Sequence, residues 1–593
     1  MTAGKVAAVK KANRDFDVLI VGSGFGGSVS ALRLTEKGYR VGVVEAGRRF
    51  EDEDFAKTSW RLHKYLWAPK LGLFGVQRVH LLKDVMILAG AGVGGGSLNY
   101  ANTLYKPESK YFQHRQWAHI TDWEEELDAH YDQAQRMLGV VKNPSETPAD
   151  TLMRSVAEDM GVGHTFRTTP VGVFFGNKTG GEGAPGETVS DPYFGGAGPE
   201  RTACIECGEC MTGCRHNAKN TLMKNYLYLA EKAGAKVIDR TTVTELHPQA
   251  DGSWQVVVEK TGAWVSKKRR TLTADRVVLA AGAWGTQNLL HRQKAAGFLP
   301  LMSEQLGKLT RTNSEAILGA MGSRVDPDND YSEGVAITSS FFPDEDTHIE
   351  PVRYGKGSNA IALLQMVMTD GDGKTPRLFK AIGIALRNPS WIPRLYWLRK
   401  WSQRTVISLV MQNRDNSIST YLKSIGPLQV LLSKQGEGEP NPSWIPAGNE
   451  ATRRAAKKMN DANNGLTIAG GTIGELFNIP LTAHFIGGAP ISDSPETGVV
   501  DPYLRVWGYP TLSIHDGTAM AANPGVNPSL SIVANAERAT ALWPNKDGAE
   551  QRPSQSEEYR RLDPIPPVSP VVPEGAAGEL RTTVALGVPT VGK

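Results

Sequence analysis

The chain has 593 residues, of which 66 are Lys or Arg and 62 are Asp or Glu, so its formal net charge is +4. A length of this size favours two linked domains over a single core. The nearly balanced charge argues against wholesale nucleic-acid binding. Only four cysteines occur, all between positions 204 and 214, which excludes a disulfide-dense secreted scaffold and favours a reducing, cytoplasmic compartment.

The first motif follows a short apolar segment, FDVLIV at 16–21, that is typical of a buried parallel strand. Gly22, Gly24 and Gly27 then fill the slots of G-x-G-x-x-G, and a helical pattern follows. A second strand ends at Glu45, where an acid can bind ribose hydroxyls. The strand, glycine turn, helix, strand and acid together predict a dinucleotide-binding unit.

Two later stretches favour FAD over NAD as the dinucleotide. GAGVGGGSLN at 90–99 follows another apolar strand and lets backbone approach a planar ring system. Far downstream, Asp516 and Gly517 lie in a loop that enters a helix, whose N-terminus can offer N–H groups to an electron-rich flavin edge.

The cysteine run CIECGECMTGC reads C-x₂-C-x₂-C-x₃-C, formed by Cys204, Cys207, Cys210 and Cys214. This spacing matches a bacterial ferredoxin run, except that Arg215 follows the last cysteine in place of proline. The pattern predicts an iron–sulfur or zinc site. A pair of disulfides is less favoured, because such short loops gain little from closure.

The sequence divides into a discontinuous FAD-binding domain (14–300 and 481–545), a substrate-binding domain (301–480) and a tail (548–593). The tail is rich in Pro and polar residues, so we expect it to be disordered. The N-terminal residues MTAGKVAAVKKANRDFD show no apolar run of the kind found in a secretory signal, and no apolar stretch is long enough to span a bilayer.

Together these segments, with RVVLAAGAWGTQNLL (276–290), TAHFIGG (482–488) and DGTAMAANPGVNP (516–528), resemble the glucose–methanol–choline (GMC) oxidoreductase family. GVGGGSLNYANTLY and THIEPVRYGKGSNA (347–360) are similar to its bacterial sterol-oxidising branch. The resemblance implies an α/β fold with α+β insertions, in which a Rossmann-type FAD-binding domain is interleaved with a mixed-sheet substrate domain. The FAD contacts that it implies are Gly22, Gly24, Phe25, Gly26, Gly27, Glu45, Ala46, Gly94, Gly95, Ser97, Asn99, Val243, Gly282, Asp516, Gly517, Asn527 and Pro528.

The same resemblance assigns the catalytic residues. His484 matches the family's active-site histidine, and histidine suits proton transfer because its pKa lies near working pH. Asn527 matches the partner that orients the substrate hydroxyl. Glu350 matches the carboxylate base that moves a proton between carbons during double-bond isomerisation, and Glu475 is a competing candidate.

The resemblance implies oxidation of a sterol 3β-hydroxyl to a ketone, with O₂ or another acceptor, such as a protein or quinone, receiving the electrons. Two alternatives stay open. One is a GMC dehydrogenase for another bulky alcohol that exports electrons through a cluster at the cysteine run, and the other is a flavin electron carrier or sensor.

Two stretches that interleave aromatic and basic residues, 59–75 and 387–410, predict peripheral contact with an anionic membrane. A core helix whose basic side chains reach solvent is the alternative interpretation of the second stretch.

Overall fold

The computed structural model describes residues 14–581, except 427, 437 and 464. The first described elements are the strand Phe16–Val21, the helix Phe25–Glu36 and the strand Val41–Val44. The two strands pair in parallel, as a right-handed βαβ unit requires. Gly22 has a φ of 100°, and a Cβ there would lie 2.3 Å from the carbonyl oxygen of Ala280, so the turn accepts only glycine. The interpretation of residues 1–13 as lacking a secretory signal lies outside the described residues.

This unit belongs to the largest sheet. Phe16–Val21 also pairs in parallel with Arg270–Leu279, whose first half pairs antiparallel with Trp254–Lys260 and whose last residues pair in parallel with Tyr509–Ile514. The remaining strands of this sheet are Lys236–Ile238, Thr241–Pro248 and Arg505–Val506. Residues 14–300 and the segment after 500 thus share one core, because Tyr509–Ile514 completes a sheet that the N-terminal part begins.

The intervening region has a sheet of its own. Its five strands are antiparallel in the order Thr347–Val352, Thr405–Gln412, Ala316–Gly322, Thr467–Thr472 and Gln365–Val367. The helix Pro446–Asn463 packs on it. All eight residues of Thr405–Gln412 are buried, as expected of a central strand with both faces covered.

The remaining helices and strands are distributed over the whole described chain. Further helices cover Leu62–Tyr65, Ser109–Phe112, Trp123–Met137, Pro148–Asp159, Tyr226–Lys232, Gly282–Ala295, Arg377–Arg387, Trp391–Leu395 and Ser529–Ala541. Further strands cover Trp67–Ala68, Leu73–Phe74, Gln77–Leu81, Met86–Gly90, Val140–Lys142, Arg167–Thr168, Pro170–Gly172, Thr188–Val189, Arg201–Thr202, Thr310–Arg311, Ser339–Ser340, Ile418–Ile425, Leu428–Gln435, Leu481–Thr482 and Ile486–Gly487.

In place of the disordered tail expected from its composition, residues 548–581 pack along the FAD-binding domain. Lys37 Nζ donates to the carbonyl oxygen of Ile565 at 2.8 Å, and the backbone N–H of Val571 donates to Glu36 at 2.9 Å. Val572 is buried, and the Arg552 guanidinium lies 4.9 Å from the Trp543 ring centroid. A Pro-rich segment cannot build its own core, but its composition does not prevent it from packing against another one. Residues 582–593 of the expected tail lie outside the described residues.

Candidate active site

A cavity of about 330 Å³ runs between the two domains. Its lining includes the glycine turn after the first strand, His484 and Asn527, and apolar side chains of the antiparallel sheet. The predicted site residues that line it are Gly24, Phe25, Gly26, Asn99, Gly282, His484, Asp516, Gly517, Asn527 and Pro528.

The other predicted cofactor residues lie outside this lining. They are Gly22, Gly27, Glu45, Ala46, Gly94, Gly95, Ser97 and Val243. Gly95 nevertheless contacts the lining. A Cβ on Gly95 would lie 2.6 Å from the Cα of Gly24, so the glycine-rich segment 90–99 packs directly against the glycine turn after the first strand. Val243 lies on the antiparallel strand Thr241–Pro248, at the edge of the sheet.

The donor groups of this cavity fit FAD. The N-cap residues of the helices Phe25–Glu36 and Ser529–Ala541 are Gly24 and Pro528, and both line the cavity. Neither helix has a side-chain hydrogen bond that caps its first turn. Their free N–H groups and positive dipole ends suit the pyrophosphate and the electron-rich edge of the flavin.

Glu45 lies at the end of the second strand, as expected for a ribose ligand. Its carboxylate accepts hydrogen bonds from the backbone N–H of Ser23 at 3.0 Å, from the Ser23 hydroxyl at 2.8 Å and from the backbone N–H of Gly47 at 2.7 Å. These three donors fix the carboxylate while leaving it lone pairs for a ribose hydroxyl.

His484 is held between two strand pairings. Leu481–Thr482 pairs with Met86–Gly90 before it, and Ile486–Gly487 pairs with Thr310–Arg311 after it. Its Nδ1 lies 2.9 Å from Oε2 of the buried Glu315. Burial of His484 opposes its protonation, but the Glu315 carboxylate outweighs this effect and raises the pKa of His484 above its ordinary value.

Asn527 precedes the helix Ser529–Ala541, and its Nδ2 donates to Oε2 of Glu350 at 3.2 Å. Glu350 lies on the strand Thr347–Val352 and is fully buried behind Asn527, outside the cavity lining. Among the described residues, neither its Oε1 nor Asn527 Oδ1 has a hydrogen-bond partner. Burial raises the pKa of Glu350 to about 8, although the hydrogen bond from Asn527 acts in the opposite direction.

The competing carboxylate Glu475 is placed elsewhere. Its Oε2 lies 2.6 Å from Nη2 of the buried Arg377, in an ion pair beside the helix Arg377–Arg387. It does not line the cavity. The structure therefore brings Glu350, and not Glu475, next to Asn527.

Sequence reasoning missed two residues of this site. Glu315 follows two residues with left-handed backbone, Asn313 and Ser314, and no motif marks it. His348 Nε2 lies 4.0 Å from Glu350 Oε1, and this neighbour could have been found, because residues i and i+2 of a strand share a face.

Much of the cavity lining is apolar. Its apolar residues include Ile317, Val352, Ile407 and Leu409, which lie on strands of the antiparallel sheet, and also Ile337, Ile361, Leu364 and Trp401. Trp401 Nε1 donates to Gln365 Oε1 at 2.9 Å, which satisfies the polar atom of this buried ring.

The two aromatic and basic stretches differ in their exposure. In the second, Trp401 is buried, whereas Trp397 is 62% exposed. In the first, Trp60 and Leu71 are exposed. The helix Arg377–Arg387, which begins before the second stretch, exposes Phe379 and Leu386. Within the described part of the chain, no helix combines the length and apolarity needed to cross a bilayer.

Comparisons with known proteins agree with this arrangement. Residues 17–341 match the FAD dependent oxidoreductase family model, and residues 429–536 match the GMC oxidoreductase model. The chain is 62% identical over 573 residues to the cholesterol oxidase of Mycobacterium tuberculosis (strain CDC 1551 / Oshkosh), covering 96% of this chain and 98% of that protein. It is 46% identical over 548 residues to the cholesterol oxidase of Acinetobacter baumannii, covering 91% of this chain and 96% of the relative.

A crystal structure of pyridoxine 4-oxidase from Mesorbium loti shares the fold, with a TM-score of 0.54 at 15% identity over 88% of this chain and 98% of that chain. The glycine turn, the cavity between the domains and the near full-length match agree with one another. The chain belongs to the GMC oxidoreductases and is an FAD-dependent oxidoreductase of that family.

Proposed function

We propose that this chain oxidises the 3β-hydroxyl of a sterol such as cholesterol to a ketone. The observation that carries the proposal is that one cavity is lined by the glycine turn, by His484 and Asn527, and by a set of apolar side chains. An almost wholly apolar sterol fits against the apolar side chains, and its single hydroxyl needs polar partners such as His484 and Asn527. The cholesterol oxidases of M. tuberculosis and A. baumannii, with which the chain shares 62% and 46% identity, support the same substrate class.

His484 accepts the hydroxyl proton in this proposal. Its Nδ1 is paired with Glu315, so the neutral ring donates through Nδ1 and keeps its lone pair on Nε2. The carboxylate fixes the tautomer and stabilises the imidazolium that forms after proton transfer.

Asn527 orients the hydroxyl beside His484. Its Nδ2 is taken by Glu350, which leaves Oδ1 free to accept a hydrogen bond from the substrate hydroxyl or a water. Bound FAD supplies the hydride acceptor for the carbinol carbon. Oxygen or another acceptor takes the electrons afterwards.

Glu350 is the base for isomerisation of the double bond. Removing a proton from one carbon and returning it to another requires a carboxyl that changes its protonation state near working pH, and burial gives Glu350 this property. Since Asn527 lies between Glu350 and the cavity, the carboxyl must turn past Asn527 to reach the substrate.

Anaerobic mixing of the flavin-loaded protein with cholesterol tests the substrate assignment. We expect the oxidised flavin absorption to bleach with cholesterol and not with its 3α-epimer, which has the same apolar bulk but a misplaced hydroxyl. Bleaching by a short-chain alcohol and not by cholesterol would point to a different substrate.

We further propose that the protein works at a membrane surface in the cytoplasm. The exposed residues Phe379 and Leu386 lie on the helix Arg377–Arg387, and the exposed Trp397 follows the helix Trp391–Leu395. Buried residues of these two helices pack in one cluster with the apolar lining residues of the cavity. Tyr396 joins this surface to the cavity wall, because its hydroxyl donates to the carbonyl oxygen of Gln365 at 3.0 Å. Tryptophan next to basic residues suits anionic lipid, from which a sterol can enter the cavity.

Flotation with anionic and with neutral vesicles tests this contact. We expect the protein to float with anionic vesicles and the double substitution F379S/W397S to weaken its flotation. Cholesterol turnover in detergent is the matched readout, since these two residues do not line the cavity. Equal flotation of the wild type and the variant would show that this surface is not the membrane contact.

A further inference from the structure

The cysteine run forms a second cavity. All four thiols are free, Cys204 and Cys210 are buried, and Cys207 and Cys214 are half-buried. All four line one small cavity. The rest of its lining is mostly apolar or backbone and includes Val173, Ala218 and Gly334. Four residues spread over eleven positions of the chain thus line the same cavity.

The spacing of the sulfurs does not fit a single zinc ion. Four thiolates at about 2.3 Å from one zinc lie about 3.8 Å from one another. Within the described part of the chain, no three of these cysteines bring their sulfurs all within 4.8 Å. The group that does meet this distance combines Cys207 with Glu209 and His216. Glu209 is already engaged, because its carboxylate accepts a hydrogen bond from Arg215 at 2.7 Å.

Three buried cations surround the same cavity without a carboxylate partner. Lys219 lines it, Arg201 interacts electrostatically with Cys214, and Arg353 interacts with Cys210. Each is no more than 2% exposed, and among the described residues none has a carboxylate oxygen within 4.0 Å. Lys219 instead donates to the carbonyl oxygens of Leu98, Tyr100 and Cys210. The Arg201 guanidinium donates to carbonyl and amide oxygens, and Arg353 donates to a carbonyl and a hydroxyl.

Buried charges in proteins are normally paired, because their desolvation is costly. Arg201 and Lys219 flank the cysteine run in sequence, and Arg353 lies against Gly334 of the lining. The ionisable residues that line the cavity are thus four thiols, Glu209, His216 and Lys219, and two further cations lie beside it. Thiolates that hold a cluster would supply the negative charge that these cations lack.

We propose that Cys204, Cys207, Cys210 and Cys214 hold an iron–sulfur cluster, and that this cluster exchanges electrons at the active site. The two cavities are neighbours along one short segment. Met211 lines the cavity of the active site, and the adjacent Cys210 lines the cysteine cavity. On the outer side, Ile205 is 44% exposed, which places the cluster near the surface.

A cluster takes up one electron at a time. The two electrons from oxidation of one alcohol therefore leave it in two transfers. They reduce two molecules of a one-electron carrier protein, or one quinone that also takes up two protons.

Analysis of the full-length protein, purified without oxygen, tests the site independently of sterol turnover. We expect several iron atoms and an equal amount of acid-labile sulfide per chain, together with FAD, and a paramagnetic signal after dithionite reduction. We expect the same signal, without dithionite, when an alcohol substrate is added. Zinc without sulfide, or no metal, would overturn the assignment. Iron that dithionite reduces but substrate does not would overturn its electron-exchange role.

Two variants separate the four-thiolate cluster from a single ion at Cys207, Glu209 and His216. Cys207→Ser should lose the iron and sulfide while keeping FAD, whereas His216→Asn should keep all three. Loss of metal from His216→Asn would favour the single ion. If Cys207→Ser fails to fold, the metal content of the wild type and of His216→Asn still decides between the two sites.

Discussion

Two buried glutamates of the active site, Glu315 and Glu350, have opposite surroundings. Glu315 accepts hydrogen bonds from the backbone N–H of Ala483 at 3.0 Å and from the Thr482 hydroxyl at 2.9 Å, and it also pairs with His484. Glu350 accepts one hydrogen bond, from Asn527, and its other oxygen has no hydrogen-bond partner among the described residues.

The difference shows how one residue type can serve two roles within one site. A carboxylate with several donors is stabilised as an anion and can hold a histidine in place. A carboxyl with one neutral donor in an apolar environment keeps its proton to higher pH and can exchange it. We therefore expect Glu315 to act through His484, and Glu350 to act on the substrate.

The largest effect should come from replacing His484, the base that pairs with Glu315. His484→Asn keeps a polar side chain but cannot accept the hydroxyl proton, so we expect sterol oxidation to fall about 10²- to 10⁴-fold. The measurement is the rate of flavin reduction in single turnover, with FAD content unchanged. His291→Asn is the matched control, because His291 hydrogen-bonds Thr420 outside the cavity lining. An equal loss in both variants would contradict the role of His484.

Removing the other carboxylate should separate the two reactions. Glu350→Gln keeps the shape and the contact with Asn527 but cannot exchange a proton, so we expect isomerisation to fall at least 10²-fold while oxidation continues. Chromatography of the products should show the unisomerised ketone accumulating.

Glu475→Gln is the comparison variant for this experiment. It breaks the buried pair with Arg377, so we expect it to lower the free energy of unfolding by about 3 to 5 kcal/mol. It should leave the ratio of the two ketones unchanged. A shift of that ratio in Glu475→Gln, and not in Glu350→Gln, would show that Glu475, and not Glu350, is the base for isomerisation.

Of the two glutamates, only Glu350 could be predicted from the sequence. Gly22, Gly24, Gly27 and Glu45 fall within one continuous segment, so local spacing was enough to predict the βαβ unit. Glu350 was named through its resemblance to a family motif. Glu315 acts on a histidine 169 positions away, and long-range contacts such as the pairing of Ile486–Gly487 with Thr310–Arg311 bring the two together.

The local sequence pattern also could not predict which side chains of the aromatic and basic stretches are buried. Trp397 and Trp401 share one aromatic and basic stretch, yet the first is exposed and the second lies in the cavity wall. The tail at 548–581 is similar: its contacts with Glu36, Lys37 and Trp543 depend on a partner surface that composition does not encode.

A smaller effect should follow from removing the charge of Glu315, which pairs with the base His484. Glu315→Gln removes the negative charge that raises the pKa of His484, so we expect roughly a tenfold loss of kcat, less than the loss on removing the base itself. Because oxidation requires neutral His484, the midpoint of the rise of kcat/KM with pH should move to lower pH. A purely structural role would lower the rate without moving that midpoint.

The wild-type protein should show the smallest effect, a change in product ratio with pH. Glu350 must be deprotonated to act as a base, so with a pKa of about 8 its active fraction rises about fivefold between pH 7 and pH 8. Oxidation depends instead on the pKa of His484, which lies above its ordinary value, and this step also gains with pH. Supplying the unisomerised ketone as the substrate removes the contribution of oxidation. The share of isomerised ketone in a stopped reaction should then rise through pH 8 in the wild type and stay flat in Glu350→Gln. A share that does not change with pH in the wild type would mean that Glu350 is not the group that transfers the proton.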